Sequence, residues 1–207
     1  MEYFRNAFNG SWKESDDKRV SLNDVDPIAF DVFVQWLYTQ RIPTYTEYRK
    51  MAVGKPSATA DDDEWITALT KSLVFGDRFL VPVFCQDVND FIVNRILGDD
   101  FCIAIPISPT FFTAAKYAFE NLPEDHVLLK FLVDVHCRYW QVQTYEEEHV
   151  ISEILSQQVP AALLVKIMVR YASRVTGGRD TWWDESLDRC VYYIDNDDEE
   201  RRQNGNE

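Results

Sequence analysis

The sequence predicts a mainly helical fold of the α+β class, with seven or eight helices and one short strand. Three observations lead there. Apolar residues recur at i, i+3, i+4 and i+7 in most segments long enough to show a period. Proline stands where helices would start (Pro27, Pro82, Pro109 and Pro160), a position that needs no amide hydrogen and suits the ring's fixed φ. Only one stretch, around Val20 and Leu22, alternates apolar and polar residues as a half-buried strand does.

Taken in order, Tyr3, Phe4, Ala7 and Phe8 have helical spacing, and Asn9-Gly10 is a turn signal that ends the element. Residues 18–23 read as the strand, closed by Asn23-Asp24. Asp26 is a suitable N-cap for the next helix, with Pro27 at its first position and Val25 and Phe30 spaced as a hydrophobic staple. Phe30, Phe33, Val34 and Leu37 form its expected inner stripe, widened by Trp36 and Tyr38, and Pro43 stops it. Residues 43–64 change character: Gly54-Lys55-Pro56-Ser57 and Asp61-Asp62-Asp63-Glu64 have no apolar period, and the segment reads as a flexible insertion. The acidic cluster precedes a helix carrying Trp65, Ile66, Leu69, Leu73 and Val74, where negative charge suits the helix dipole. Pro82 opens another, with Phe84, Val88, Phe91, Ile92 and Ile96 inward and Gly98 as the stop.

Ser108-Pro109 starts a helix with Phe112, Ala115 and Phe119 on one side, ending near Asn121-Leu122-Pro123. Leu128, Leu129, Leu132, Val133 and Val135 supply the next. Ile151, Ile154 and Leu155 follow an acidic patch. Pro160 then begins a last strong helix with Leu164, Ile167, Met168 and Tyr171 at helical spacing, closed by Gly177-Gly178. Trp182, Trp183, Val191, Tyr192 and Tyr193 are expected to dock a short final element. Residues 195–207 are polar and charged throughout, the composition of a disordered tail. No internal repeat is visible, since helix spacing and capping residues vary.

Composition narrows the function. The chain has 207 residues, 46% of them hydrophobic and 27% charged, the balance of a globular protein able to bury a real core. Its formal charge is −14, from 35 acidic and 21 basic residues, with no Lys/Arg run longer than two. That field repels nucleic acid and anionic membrane surfaces, which are bound through clustered cations. No stretch approaches the apolar length of a membrane span, and Met1-Glu2-Tyr3-Phe4-Arg5 is not the start of a signal peptide. Cys85, Cys102, Cys137 and Cys190 are scattered without a CxxC pair, as reduced thiols of a cytoplasmic or nuclear protein are. Asn9-Gly10-Ser11 fits the glycosylation pattern only by chance in such a compartment.

Reactive chemistry finds no foothold. His126, His136 and His149 lack metal-ligand spacing, and adjacent His136 and Cys137 would diverge by about 100° on a helix. The acidic clusters at 61–64 and 146–148 stay ionised on polar segments, with nothing to raise a carboxyl toward acid–base work. There is no serine elbow, and Gly54-Lys55 lacks the earlier glycine of a phosphate loop. No catalytic residue, metal or cofactor is expected.

Four segments carry a likeness. Tyr3-Phe4-Arg5-Asn6-Ala7-Phe8-Asn9-Gly10-Ser11-Trp12-Lys13-Glu14-Ser15 resembles the second helix of the BTB/POZ domain, with its aromatic pair, second phenylalanine and Glu-Ser. Arg19-Val20-Ser21-Leu22-Asn23-Asp24-Val25-Asp26-Pro27 resembles that family's short strand and turn. Phe30 through Tyr38-Thr39 resembles its F…LYTG helix, with Gln40 where glycine is usual. Leu73-Val74-Phe75-Gly76-Asp77-Arg78-Phe79-Leu80-Val81-Pro82 is similar to its A-D-K-F-x-V/I-P segment, with Gly76 in place of alanine. The likeness spans about residues 2–97, in the right order and spacing. Residues 105–140 resemble the helical extension common in fungal members, around Tyr117-Ala118-Phe119-Glu120-Asn121-Leu122-Pro123-Glu124.

The resemblance implies a partial BTB/POZ domain at 1–97 (insertion 43–64), a helical extension at 98–176, and a docking segment with an acidic tail at 177–207. A complete domain of this kind opens with two strands, a long helix and a third strand, which supply most of the sheet and the main homodimer surface. Their expected absence marks either a truncated paralogue or a reading that starts at an internal methionine. The stripes at 3–8 and 30–37 would then lose cover, offering Tyr3, Phe4 and Phe8 to a partner. Trp12-Lys13-Glu14 resembles the apolar-x-acidic motif by which some members engage a cullin scaffold, an exposed aromatic beside a charge being ordinary interface chemistry. The implied function is a protein-binding adaptor or scaffold, as a substrate adaptor of a cullin-based ubiquitin ligase. The alternatives are a transcriptional co-regulator subunit and a degenerate paralogue. Homodimerisation is implied by the family as well.

Overall fold

The computed structural model describes residues 22–53, 62–98, 109–139, 159–176 and 187–194. These form seven α-helices and a terminal 3-10 turn: α1 Pro27–Thr39, α2 Tyr45–Ala52, α3 Asp62–Arg78, α4 Pro82–Ile96, α5 Pro109–Asn121, α6 Val127–Tyr139, α7 Ala161–Thr176 and the turn Arg189–Tyr192. The chain is mainly helical, as its periodicity predicts, and among the described residues there is no strand. Of the expected strand at 18–23, residues 18–21 lie outside the described residues. Leu22 and Asn23 enter a turn, with the Val25 amide donating to the Leu22 carbonyl at 3.4 Å. Asn-Asp side chains favour such turns over a ladder.

The start of α1 forms as its residues dictate. Asp26 accepts a hydrogen bond from the Ile28 amide at 2.9 Å, and Pro27 occupies the first turn. The helix ends at Gln40, which adopts the left-handed conformation at φ 54°. That conformation costs a side-chain-bearing residue about 1–2 kcal/mol. The Gln40 side-chain amide partly offsets this by donating to the carbonyls of Trp36 (3.3 Å) and Leu37 (3.2 Å).

The inner face of α1 differs from the expected stripe. Ile28, Ala29, Val32, Phe33 and Trp36 are buried, whereas Val34 and Leu37 are half-buried and Phe30 lies at the surface. The helix is apolar around most of its circumference, so its period alone cannot select a face. Polar ties select it instead: Lys71 Nζ lies 2.7 Å from Asp26, and Trp36 Nε1 donates to Asp87 at 2.6 Å.

The segment expected to be a flexible insertion holds α2. Thr44 caps it, accepting from the Glu47 amide at 3.4 Å, while Glu47 accepts from the Thr44 amide at 2.9 Å, a complete capping box. Arg41 grips the same carboxylate, at 2.7 Å from Nη1, and with the Thr44 bonds holds Glu47 down to about 2. Because α2 is short and mostly polar, only its cap marks it in the sequence. Residues 54–61 lie outside the described residues.

The hub is α3, which packs against α1, α2, α4 and α5. From Trp65 to Gly76 every residue but Lys71 is buried, so this helix has no polar face. Its buried hydroxyls are satisfied within the helix: Thr70 Oγ1 donates to the Ile66 carbonyl at 2.9 Å and Ser72 Oγ to Ala68 at 2.8 Å. Phe33, Trp36, Phe75, Phe79 and Phe84 interlock where α1, α3 and α4 meet, with ring centroids 5.0 Å apart for Phe33–Phe75 and 5.1 Å for Trp36–Phe84. The close approach of α3 to α4 depends on Gly76, as a Cβ there would stand 2.7 Å from Cys85 Sγ and 2.8 Å from Phe84 Cδ1. Alanine, the residue usual in the resembled motif, would not fit this packing.

Helix α5 carries the core outward, packing on α3, α6 and α7. The buried cluster runs unbroken from Ile28 to Tyr192, so segments 1–97 and 98–176 share one core among the described residues. Cys85 and Cys137 are buried free thiols, Cys190 is exposed, and Cys102 lies outside the described residues.

At the start of α6, His126 Nδ1 accepts from the Leu128 amide at 3.1 Å, which requires a neutral ring protonated on Nε2. Burial holds this imidazole below its ordinary value, against the pull of Asp77 and Asp125. Folding therefore favours the neutral ring. Its contribution is complete above the unfolded value near 6.5 and is lost as pH falls through the lower folded one. As pH falls from 7 toward 5 the chain is therefore expected to lose stability. His126→Asn, which keeps a capping acceptor without a titrating ring, should flatten that limb in melts recorded across the same range.

Candidate protein-binding site

The residues singled out for partner binding, Trp12, Lys13, Glu14, Tyr3, Phe4 and Phe8, lie outside the described residues, as do His149, the 146–148 acidic patch, Ile151, Ile154, Leu155 and Trp182-Trp183. Of the acidic group at 61–64, residues 62–64 open α3. His136 is buried between α5 and α6, its ring 5.5 Å from Phe112 and 6.3 Å from Phe111. Among the described residues no three His, Cys, Asp or Glu side chains stand close enough to hold a metal ion, and no helix is long and apolar enough to cross a membrane.

Two places depart from ordinary surface and core. One is the outer side of α7. Among the described residues of this helix only Leu163 and Ile167 are buried; of the expected stripe, Ile167 faces the core and Tyr171 packs half-buried against it, while Leu164 and Met168 turn outward. Leu164 is 46% exposed, Val165 56%, Met168 69% and Val169 59%. These four, at i, i+1, i+4 and i+5, make one aliphatic strip along the helix. The helix has more apolar residues than one inner face can use, which is why its period put Leu164 and Met168 inside. The position of Arg170 decides the rotation, since its Nε pairs with Asp134 on α6 at 2.6 Å and thereby turns the 163/167 edge inward.

The other place is a polar node where α4, α6 and the C-terminal turn meet. Asp134 is almost wholly buried and takes the Arg170 guanidinium on Oδ1 and the Tyr192 hydroxyl on Oδ2 at 2.9 Å. Asn89, fully buried on α4, donates from Nδ2 to the Tyr192 carbonyl at 2.7 Å. The Tyr192 ring lies 5.0 Å from Phe131, with Lys130 Nζ 5.6 Å from its centroid. This places Tyr192 in the core, as the expected docking of the final element requires. Val191 is exposed instead. The node itself was missed in the sequence, although Asn89 and Asp134 are the polar interruptions of two apolar runs and so the residues a buried network would use.

Neighbouring charges are engaged in further pairs. Arg78 lies 2.6 Å from Asp24. For Asp26, burial would raise the carboxyl, but Lys71 and the Ile28 and Ala29 amides hold it below its ordinary value. Burial raises the Asp90 carboxyl. Asp24, Asp26, Lys71 and Arg78 thus fix a helix start and tie it to α3.

No family model, no curated protein and no solved structure matches this chain.

Proposed function

We propose that the chain is a protein–protein interaction module of the BTB/POZ kind, an adaptor that brings a substrate to a cullin-based ubiquitin ligase. One observation carries the binding part of this reading: the aliphatic strip of Leu164, Val165, Met168 and Val169 on α7 faces water while the helix's other edge is seated in the core. A contiguous apolar strip on a folded surface is the usual mark of a partner site, since covering it removes that area from water. The ligase part rests on the likeness of residues 2–97 to the family and on Trp12-Lys13-Glu14, with the scaffold at that motif and the substrate on α7.

The experiment is calorimetric titration of the full chain with a purified cullin amino-terminal domain. Binding that weakens at least tenfold on Trp12→Ala plus Glu14→Ala supports the ligase assignment, and a scaffold that fails to bind the folded chain contradicts it. Met168→Asp separates the two faces. It should change the chain's own stability by no more than about 0.5 kcal/mol, as surface substitutions do, leave scaffold binding intact and remove the substrate. Ile167→Asp, one residue earlier and buried, should unfold the chain by placing an unpaired charge in the core.

A further inference from the structure

We propose that the surface of α4 and α6 on which the C-terminal turn packs is a peptide-binding groove, occupied in cis by residues 187–194, which a partner's tyrosine-bearing segment enters by displacing them. The C-terminal segment is held as a ligand is held. Asp188, Arg189, Cys190 and Val191 are all exposed, Tyr192 is buried, and Leu187 and Tyr193 rest half-buried beside it. Around this anchor the contacts are hydrogen bonds in both directions: Asn89 Nδ2 donates to the Tyr192 carbonyl at 2.7 Å, while from the segment Arg189 Nη2 donates to the Leu97 carbonyl at 2.7 Å and the Tyr193 hydroxyl to Asn94 Oδ1 at 2.9 Å. An aromatic anchor in a desolvated pocket, ringed by polar contacts, is the anatomy of an interface hot spot.

Part of the receptor side is held by contacts outside the segment. Arg170 fixes the Asp134 carboxylate from α7, and Phe131 and Asn89 sit on the packed faces of α6 and α4. When residues 187–194 leave, Asn89 Nδ2 and Asp134 Oδ2 lose their partners in a buried site, and buried polar groups strongly favour a replacement. Asn89 Oδ1 has no hydrogen-bond partner among the described residues even with the segment bound, which leaves one acceptor for an incoming peptide amide. The replacement suited to these groups is a segment of the Arg-x-x-Tyr-Tyr form of residues 189–193, with a phenol for Asp134 and a backbone carbonyl for Asn89. Tethering gives the cis segment an effective concentration on the order of millimolar, so a weak partner stays out and a tighter one displaces it. This groove extends the reading of the chain as a binding module. Its assay needs no cullin, so the failure of one leaves the other standing.

The test is fluorescence anisotropy of a labelled peptide of residues 187–194 against the full chain. Wild type should bind it weakly. Full-length Tyr192→Ala, shown to be folded by circular dichroism, should bind at least tenfold more tightly, and Asn89→Ala in that background should lose the gain. Tyr192→Phe, which gives up only the hydroxyl, carries the same comparison if the alanine variant does not fold, with a gain of about threefold. Equal affinity of wild type and the folded variant, or no binding to that variant, overturns the groove. A concentration-dependent dimer of the variant, built by exchange of C-terminal segments, overturns the assignment to a different partner.

Discussion

Replacing Phe84 by alanine is expected to lower stability by about 3–5 kcal/mol, the range for removing a fully buried ring from a core that cannot collapse around the gap. The midpoint of urea unfolding should fall at an unchanged slope. Phe84 is fully buried, edge-on to Phe33 at 5.2 Å and tilted against Trp36 at 5.1 Å, so its loss opens the aromatic cluster where α1, α3 and α4 meet. The same site supplies a coupling test. Gly76→Ala alone should cost about 1–3 kcal/mol by overpacking against Phe84 and Cys85, more than its gain in helix propensity. In the Phe84→Ala background the new methyl enters vacated space, and the double variant should be less destabilised than the sum by at least about 1 kcal/mol. Strict additivity would mean that the two helices are not in the contact described.

Asp134→Ala should cost about 3 kcal/mol. Most of it comes from the buried Tyr192 hydroxyl left without an acceptor, at about 1–3 kcal/mol. The ion pair adds less, about 1 kcal/mol, because the Arg170 side chain is 41% exposed and can turn to water. Asp134→Asn keeps an oxygen for Tyr192 and should recover the larger share. Hydrogen exchange at residues 189–192 separates the two effects: it should quicken in the alanine variant and change little in the asparagine one. If both variants behave alike, the hydroxyl bond contributes nothing.

How far the sequence reveals this fold depends on what each element's residues have to say. The prolines at 27, 82 and 109 and the cap at Asp26 mark helix starts through purely local chemistry, and the helices begin there. Which face turns inward is a tertiary choice. In α1 and α7 apolar residues surround most of the axis, and the decision falls to single polar contacts, Trp36 with Asp87 and Arg170 with Asp134, between residues 51 apart in one case and 36 in the other. A stretch such as α2, where a capping box stands before mostly polar residues, has almost no periodicity to reveal it. The α7 strip was legible as apolar residues but not as surface. The node at Asn89, Asp134 and Tyr192 was legible only as polar interruptions, because its partners come from three separate segments.

Hydroxyl-radical footprinting of Met168 bears most directly on the binding role. Met168 is 69% exposed in the free chain and should oxidise quickly there. In the assembly recovered with its natural partners, the account predicts strong protection of Met168 with the buried core unchanged. Oxidation at the free-chain rate inside that assembly would show that α7 touches nothing and would contradict the account.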